Sequence, residues 1–281
     1  MGSSSRVGRP GFSFVGAALA VLFLFPLVWG GWSSLKGQPG SSQASGFGFG
    51  NYVAMAKYGE GVLTYLSNTV MVSAMTVIGT LVVSTLAGYG FARFSFPLKN
   101  VLFLCTLAIL MVPYATILIP LYVVLGHLGL QNSLVGLSLV LIMFQLPFAV
   151  FMMRNAFEAL PRELEESALV DGCTTFSALR RVLLYGVRPA LITVGLFAFL
   201  ASWNDFFAPL ILLSDGAKFT LPVAVVSIQE HTFGAIDYGA LEAGVMVMAV
   251  PCVALFLALR RHYVQGFTTG RCAASARGGR A

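Results

Sequence analysis

Long apolar runs separated by short polar segments organise this chain and set its predicted elements. The runs fall at roughly 12–32, 66–92, 100–126, 134–157, 187–213 and 239–260. Each reaches the roughly 20 residues that a helix needs to cross a bilayer, so six transmembrane helices are predicted, the longer ones tilting or starting outside the hydrocarbon. A Gly/Ser-rich stretch from Ser33 to Gly50 and a short amphipathic lead-in from Asn51 to Tyr65 separate the first two runs. A polar, charge-rich loop occupies about 158–185. Prolines at positions 113, 120, 147, 209 and 251 interrupt the runs. Such breaks persist in lipid where neighbouring helices or cavities satisfy the freed backbone groups. They are read as structural kinks, some of which could shape a substrate path.

Composition sharpens this picture. Of the 281 residues, 57% are hydrophobic and 10% charged, against roughly 25% charged in a soluble domain. The deficit extends along the whole chain, which implies one all-α membrane domain. Arg6 and Arg9 precede the first run as they would in a signal peptide. That run is too long for a typical signal core and ends in Trp29, Gly30, Gly31 and Trp32, so it reads as a retained helix with an interfacial aromatic anchor.

The formal net charge is +6, and its distribution decides what it means. With the N-terminus in the cytoplasm, six helices put 14 of the 17 Lys and Arg residues inside; only Lys36, Lys57 and Lys218 fall outside. That asymmetry predicts both termini inside. The expected divisions are a cytoplasmic N-terminus at 1–11, a first helix at 12–32, an outer segment at 33–65, a core at 66–265 enclosing the 158–185 loop, and a cytoplasmic tail at 266–281, whose Arg-, Ser-, Ala- and Gly-rich part from Arg271 reads as disordered. No basic stripe interleaved with aromatics is present, which argues against nucleic acid.

Candidate chemistry is sparse. Cys105, Cys173, Cys252 and Cys272 form no C-x-x-C pair, so neither a disulfide framework nor a metal site is expected. His127, His231 and His262 are isolated. There is no G-x-x-x-x-G-K-[ST], H-E-x-x-H or G-x-S-x-G, and the chain is therefore not expected to be an enzyme. One carboxylate, Asp205, lies within an apolar run beside Trp203 and Asn204. An ionisable group there is costly and by default functional; a place on a translocation path and a role in subunit packing are both open.

The informative segment is the loop from Leu160 to Gly172. Pro161 suits a first helical turn, Glu163 favours the positive end of the helix dipole, and Gly172 suits a left-handed helix end. A capped helix of about 10 residues, about 15 Å long, follows. Glu165, Ala168, Leu169 and Gly172 share one of its faces, where the small Ala168 would admit another protein surface. Taken alone, the segment also fits a solvated amphipathic loop helix.

Glu166-Ser167-Ala168-x-x-x-Gly172, followed after nine residues by Val182-x-Leu184, resembles the EAA loop of ABC importer permeases. Ser167, Val182 and Tyr185 stand where the family pattern has Ala, Ile and Pro. Further stretches are similar to the MalG-like permeases of carbohydrate importers: Ala92 to Pro97, Met111 to Pro113, Ile119 to Tyr122, Leu128 to Leu130, Trp203 to Leu210, Thr220 to Val223 and Gly266 to Gly270. The resemblance covers about residues 65–270.

It implies a type I ABC importer permease fold with a cytoplasmic EAA coupling helix, in a bacterial or archaeal plasma (inner) membrane. The coupling interface would comprise Glu165, Glu166, Ser167, Ala168, Leu169, Asp171 and Gly172. The implied partners are a second permease subunit, an ABC ATPase dimer, an extracytoplasmic sugar-binding protein and membrane lipid. The chain itself would bind no cofactor; ATP and Mg would be used by the ATPase. An ion-coupled secondary transporter is the alternative. It would favour several buried acidic residues and internal repeats, against one Asp and no evident repeat here.

Overall fold

The computed structural model describes residues 10–37, 46–228 and 237–277. Among them the regular structure is helical, apart from an isolated antiparallel bridge between Lys36 and Phe47. The helices are α1 (Pro10–Leu35), α2 (Gly50–Lys57), α3 (Val62–Arg93), α4 (Lys99–Ala108), α5 (Tyr114–His127), α6 (Leu134–Glu158), α7 (Glu163–Val170), α8 (Thr175–Ala178), α9 (Leu184–Gly186), α10 (Arg188–Trp203), α11 (Phe207–Leu212), α12 (Leu221–Ser227) and α13 (Tyr238–Arg277). A π-helical turn, Leu179–Leu183, joins α8 to α9. Among the described residues four helices are long and apolar enough to cross a membrane singly, and up to six spans result if each of two bent helix pairs counts as one.

Internal contacts divide the chain into two units. The first comprises Met1–Val62 and Ala224–Val250. Its α1 exposes most of its apolar side chains, Phe23 and Phe25 among them, as a helix does when its solvent is lipid. The carbonyl end of α1 is satisfied from α2: the buried Asn51 donates to the Ser34 and Lys36 carbonyls at 2.9 and 3.3 Å. Those are acceptors that a helix end leaves unpaired. Gly239 answers the same asparagine, since a Cβ there would lie 2.6 Å from the Asn51 side chain. Asp237 Oδ1 accepts from the Ala240 amide at 3.0 Å and so caps the start of α13.

The second unit comprises Leu63–Val223 and Pro251–Ala281. Its α3 turns Thr69, Ser73, Thr76, Thr80, Ser84 and Gly88 inward, a small-residue face that lets membrane helices approach closely. At Gly88 the approach is closest to backbone: an added Cβ would lie 2.6 Å from Met153 Cβ and 2.9 Å from the Arg154 amide. Two apolar cores follow. One gathers Val72, Leu118, Leu137, Leu141, Ala208 and Leu212 around α5, α6 and α11. The other gathers Tyr89, Met153, Phe157, Leu179, Leu183 and Val194 beneath the 158–185 loop.

Three expectations change. The run at 100–126 is not one helix: a 3-10 turn at Ile109–Met111 and the extended residues Val112 and Pro113 bend it by 106°. Pro113 lacks the N–H that would continue the hydrogen-bond ladder and biases the residue before it towards extended backbone. The run at 187–213 likewise stops at Trp203 and resumes as α11 at Phe207. The last helix continues from Tyr238 to Arg277, past the expected end near 260 and into the stretch from Arg271 expected to be disordered. Once nucleated, a helix gains a hydrogen bond with each added residue, and Arg260, Arg261 and Gln265 are good helix formers. Residues 278–281, Arg6, Arg9 and His231 lie outside the described residues.

Candidate functional site

Helix α7 is the predicted loop helix, two residues shorter than expected at eight residues. Pro161 lies before it rather than in its first turn. Glu163, Glu165 and Glu166 occupy that first turn, where the helix dipole favours negative charge. The C-terminus is a Schellman motif: the Cys173 amide donates to the Ala168 carbonyl at 3.0 Å and the Gly172 amide to the Leu169 carbonyl at 3.0 Å. This motif needs a left-handed residue after the cap, and Gly172 has φ +85°. The sequence reading of Gly172 as a positive-φ helix end agrees with the structure.

The face proposed from spacing is divided. Glu166, Ser167, Leu169, Asp171 and Gly172 are exposed. Ala168 is buried, and α7 packs on the Leu179–Leu183 turn. The close approach that alanine permits is therefore made within the chain. Glu165 also turns inward, because it has partners there. Its Oε2 lies 3.2 Å from Arg93 Nε, an ion pair not aligned as a hydrogen bond. Its Oε1 accepts from the Tyr89 hydroxyl. The Arg93 side chain is only 6% exposed, and its Nη2 donates to the Leu160 carbonyl at 3.0 Å. The Tyr89 ring is held edge-on by Phe94 and Phe157, at 5.5 and 5.6 Å between centroids. A largely shielded ion pair thus joins the last turn of α3 to the first turn of α7. Sequence reasoning counted Arg93 only as an orienting charge and did not single out Tyr89; the nearest signal was Arg93 within the stretch Ala92 to Pro97.

The second cluster has separated. Trp203 is buried and stacks on Phe199 at 5.3 Å. Asn204 is exposed and folds back to the Leu200 carbonyl at 2.8 Å. Asp205 sits in the break before α11. Its Oδ1 accepts from the Ala208 amide at 2.9 Å, satisfying a donor that the helix start leaves free. Its Oδ2 accepts from the Tyr114 hydroxyl at 2.6 Å. Tyr114 is the first residue of α5, just beyond the Pro113 bend, and its ring lies edge-on to Phe144 at 4.5 Å. The tyrosine was not anticipated, since no local pattern links it to Asp205.

Comparisons with known proteins agree with this architecture. Residues 81–267 match the family described as "Binding-protein-dependent transport system inner membrane component". YurM of Bacillus subtilis, a probable ABC transporter permease protein, is 31% identical over 89% of this chain and 84% of its own length. DasC of Streptomyces coelicolor, a diacetylchitobiose uptake system permease protein, is 34% identical over 74% of each chain. SugB of Mycobacterium tuberculosis, a trehalose transport system permease protein, is 31% identical over 90% of this chain and 92% of its own. The fold is also shared with a chain of a bacterial ABC transporter involved in the import of the polysaccharide alginate. That likeness covers 93% of this chain and 99% of the other, with a TM-score of 0.74 at 20% identity. The family match sets aside the ion-coupled secondary transporter. The chain belongs to the inner-membrane components of binding-protein-dependent transport systems, the multi-pass permease subunits of ABC importers.

Proposed function

We propose that this chain forms one half of the translocation pathway of a carbohydrate importer and takes its driving motion from a separate ATPase through the EAA segment. The observation that carries the coupling role is the exposed outer face of α7, with Glu166 and Leu169 on a short helix that is closed by the exposed Gly172 and anchored from within. The helix is too short and polar to span a bilayer, and its outer side chains are free to meet a second protein. In this reading ATP and Mg are used by that ATPase, and neither is assigned to this chain. The remaining partners in this reading are a second permease subunit and an extracytoplasmic binding protein. The carbohydrate class is supported by relatives whose names specify diacetylchitobiose and trehalose transport. Maltose-type oligosaccharides, amino sugars and glycerol phosphate esters are the candidate cargoes.

Both termini are cytoplasmic in this reading, six spans arising if each bent pair counts as one, because the Lys and Arg asymmetry favours that orientation. The direct test is to isolate the assembled complex from its native membrane and identify the ligand held by its binding protein. A sugar or sugar derivative, with an ATPase in the complex, is the expected result. An amino acid, a metal ion or an inorganic anion in its place contradicts the carbohydrate assignment.

A further inference from the structure

We propose that the largely shielded Arg93–Glu165 pair, with Tyr89, is the mechanical joint through which α7 moves the membrane helix α3; the inference rests on the coupling reading above. Three observations carry it. First, the joint is bonded as well as packed: Glu165 meets Arg93 with one carboxylate oxygen and the Tyr89 hydroxyl with the other. Second, Arg93 reaches past the pair to the Leu160 carbonyl at 3.0 Å. It thereby spans the connection between α6 and α7 and fixes α7 at its N-terminal side. Third, the joint is shielded, with side-chain exposures of 6% for Arg93 and 14% for Glu165. Water competes weakly for such a pair, and separating it leaves a buried charge without its partner, which is strongly unfavourable. A push on the exposed face of α7 therefore displaces α3 instead of opening the pair.

Helix α3 is suited to carry that displacement. It is continuous over 32 residues, from Val62 to Arg93. Its inward face is lined by small side chains, and at Gly88, one turn before the joint, it touches the α6 backbone. A helix with a small-residue face can shift against its neighbour with few side-chain rearrangements. Tyr89 fixes the direction of pull, because its ring is wedged between Phe94 and Phe157 while its hydroxyl holds the carboxylate.

A passive tie and a transmitting joint respond differently to a paired replacement. Arg93→Met alone or Glu165→Met alone leaves one buried charge uncompensated and should impair assembly. Arg93→Met with Glu165→Met removes both charges, and apolar replacement of a buried ion pair is commonly neutral for folding; the Tyr89 hydroxyl and the Leu160 carbonyl lose their partners as well, so assembly is measured first. The experiment reconstitutes the whole complex in vesicles and measures assembly, ATP hydrolysis stimulated by the loaded binding protein, and sugar moved per ATP. The paired variant is expected to assemble and to hydrolyse ATP, while sugar moved per ATP falls below the wild-type ratio, since the two helices are no longer bonded. Wild-type sugar per ATP in the paired variant overturns the proposal. Should that variant fail to assemble, Tyr89→Phe decides, as it removes only the hydroxyl and keeps the ring. Reduced sugar per ATP in Tyr89→Phe sustains the joint, and an unchanged ratio overturns it. If the unmodified complex contains no ATPase, the coupling reading fails, and that outcome is visible before any variant is made.

Discussion

Tyr114 donates its phenolic hydrogen to Asp205 at 2.6 Å, across 91 residues of sequence, and so joins two helix breaks with one hydrogen bond. Tyr114 begins the helix after the Pro113 bend, and Asp205 caps the helix after the Trp203 stop. Non-helical backbone at membrane depth is stable only where protein or a cavity satisfies it. Here the carboxylate that satisfies the Ala208 amide at one break is itself held by the tyrosine that follows the other.

Removing Asp205 should therefore cost both a cap and a charge-assisted hydrogen bond. Asp205→Ala is expected to destabilise the chain by roughly 2–4 kcal/mol. Tyr114→Phe, which leaves the cap, should cost about 1.5–3 kcal/mol. Asp215 sits in the exposed turn, where its Oδ1 accepts only from the nearby Ala217 amide and its Lys218 contact is 3.7 Å; Asp215→Ala should cost no more than about 1 kcal/mol. Thermal denaturation of the detergent-solubilised complex, with uptake measured alongside, orders the three. Equal stability and equal uptake for Asp205→Ala and Asp215→Ala removes any special role for Asp205.

Asn132 organises the turn that follows α11. It holds φ +48°, and its Oδ1 accepts from the Ser214 and Asp215 amides at 3.1 and 3.2 Å. Asn132→Gly keeps the backbone conformation available but deletes the acceptor. Hydrogen exchange at the two amides should accelerate while α6 amides stay protected. Unchanged exchange at Ser214 and Asp215 shows that the side chain does not hold this loop.

What the sequence disclosed and what it hid follow one physical division. Gly172 was legible because a helix end with positive φ demands a residue without Cβ, and that demand is local. Asp205 was visible as a charge in an apolar run, yet its partner Tyr114 lies on another helix and no spacing rule reaches it. Glu165 carried two features at once. Its helical face was legible, but the direction of that face depended on Arg93 and Tyr89, 72 and 76 residues away. The bend at Pro113 was marked by the proline, whereas its 106° amplitude comes from tertiary packing. The six runs were clear from hydropathy, and the Trp203 stop was not, because Phe206 to Leu213 continues the apolar pattern across the break.

Gly172 gives a graded test of the α7 terminus. No heavy atom lies within 4 Å of an added Cβ, so substitution costs backbone strain and no clash. Gly172→Val should cost on the order of 1–2 kcal/mol or more, while Gly172→Asn should be tolerated better, since asparagine enters the left-handed region more readily. Ligand-stimulated ATP hydrolysis and uptake should follow the order glycine, asparagine, valine. Uptake in the valine variant equal to wild type shows that the Schellman end is dispensable for coupling.

The orientation of the chain is open to cysteine labelling in a background freed of native cysteines. Ser138 is buried and should be shielded, Gly216 is exposed and should react from outside, and Phe176 is exposed and should react only from the cytoplasm. Labelling at position 176 by an impermeant reagent applied outside inverts the topology.

The coupling role of α7 is tested most directly by Glu166→Lys, which reverses charge on its exposed face without touching the Arg93–Glu165 pair. The complex carrying this variant is purified and reconstituted, and ATPase retention, ligand-stimulated hydrolysis and ATP-driven sugar uptake are measured together. The expected result is a normally inserted permease that releases the ATPase or hydrolyses ATP without uptake, with the binding protein's sugar affinity unchanged. Full retention of the ATPase with uptake at the wild-type rate contradicts it, because the outer face of α7 would then carry no part of the coupling.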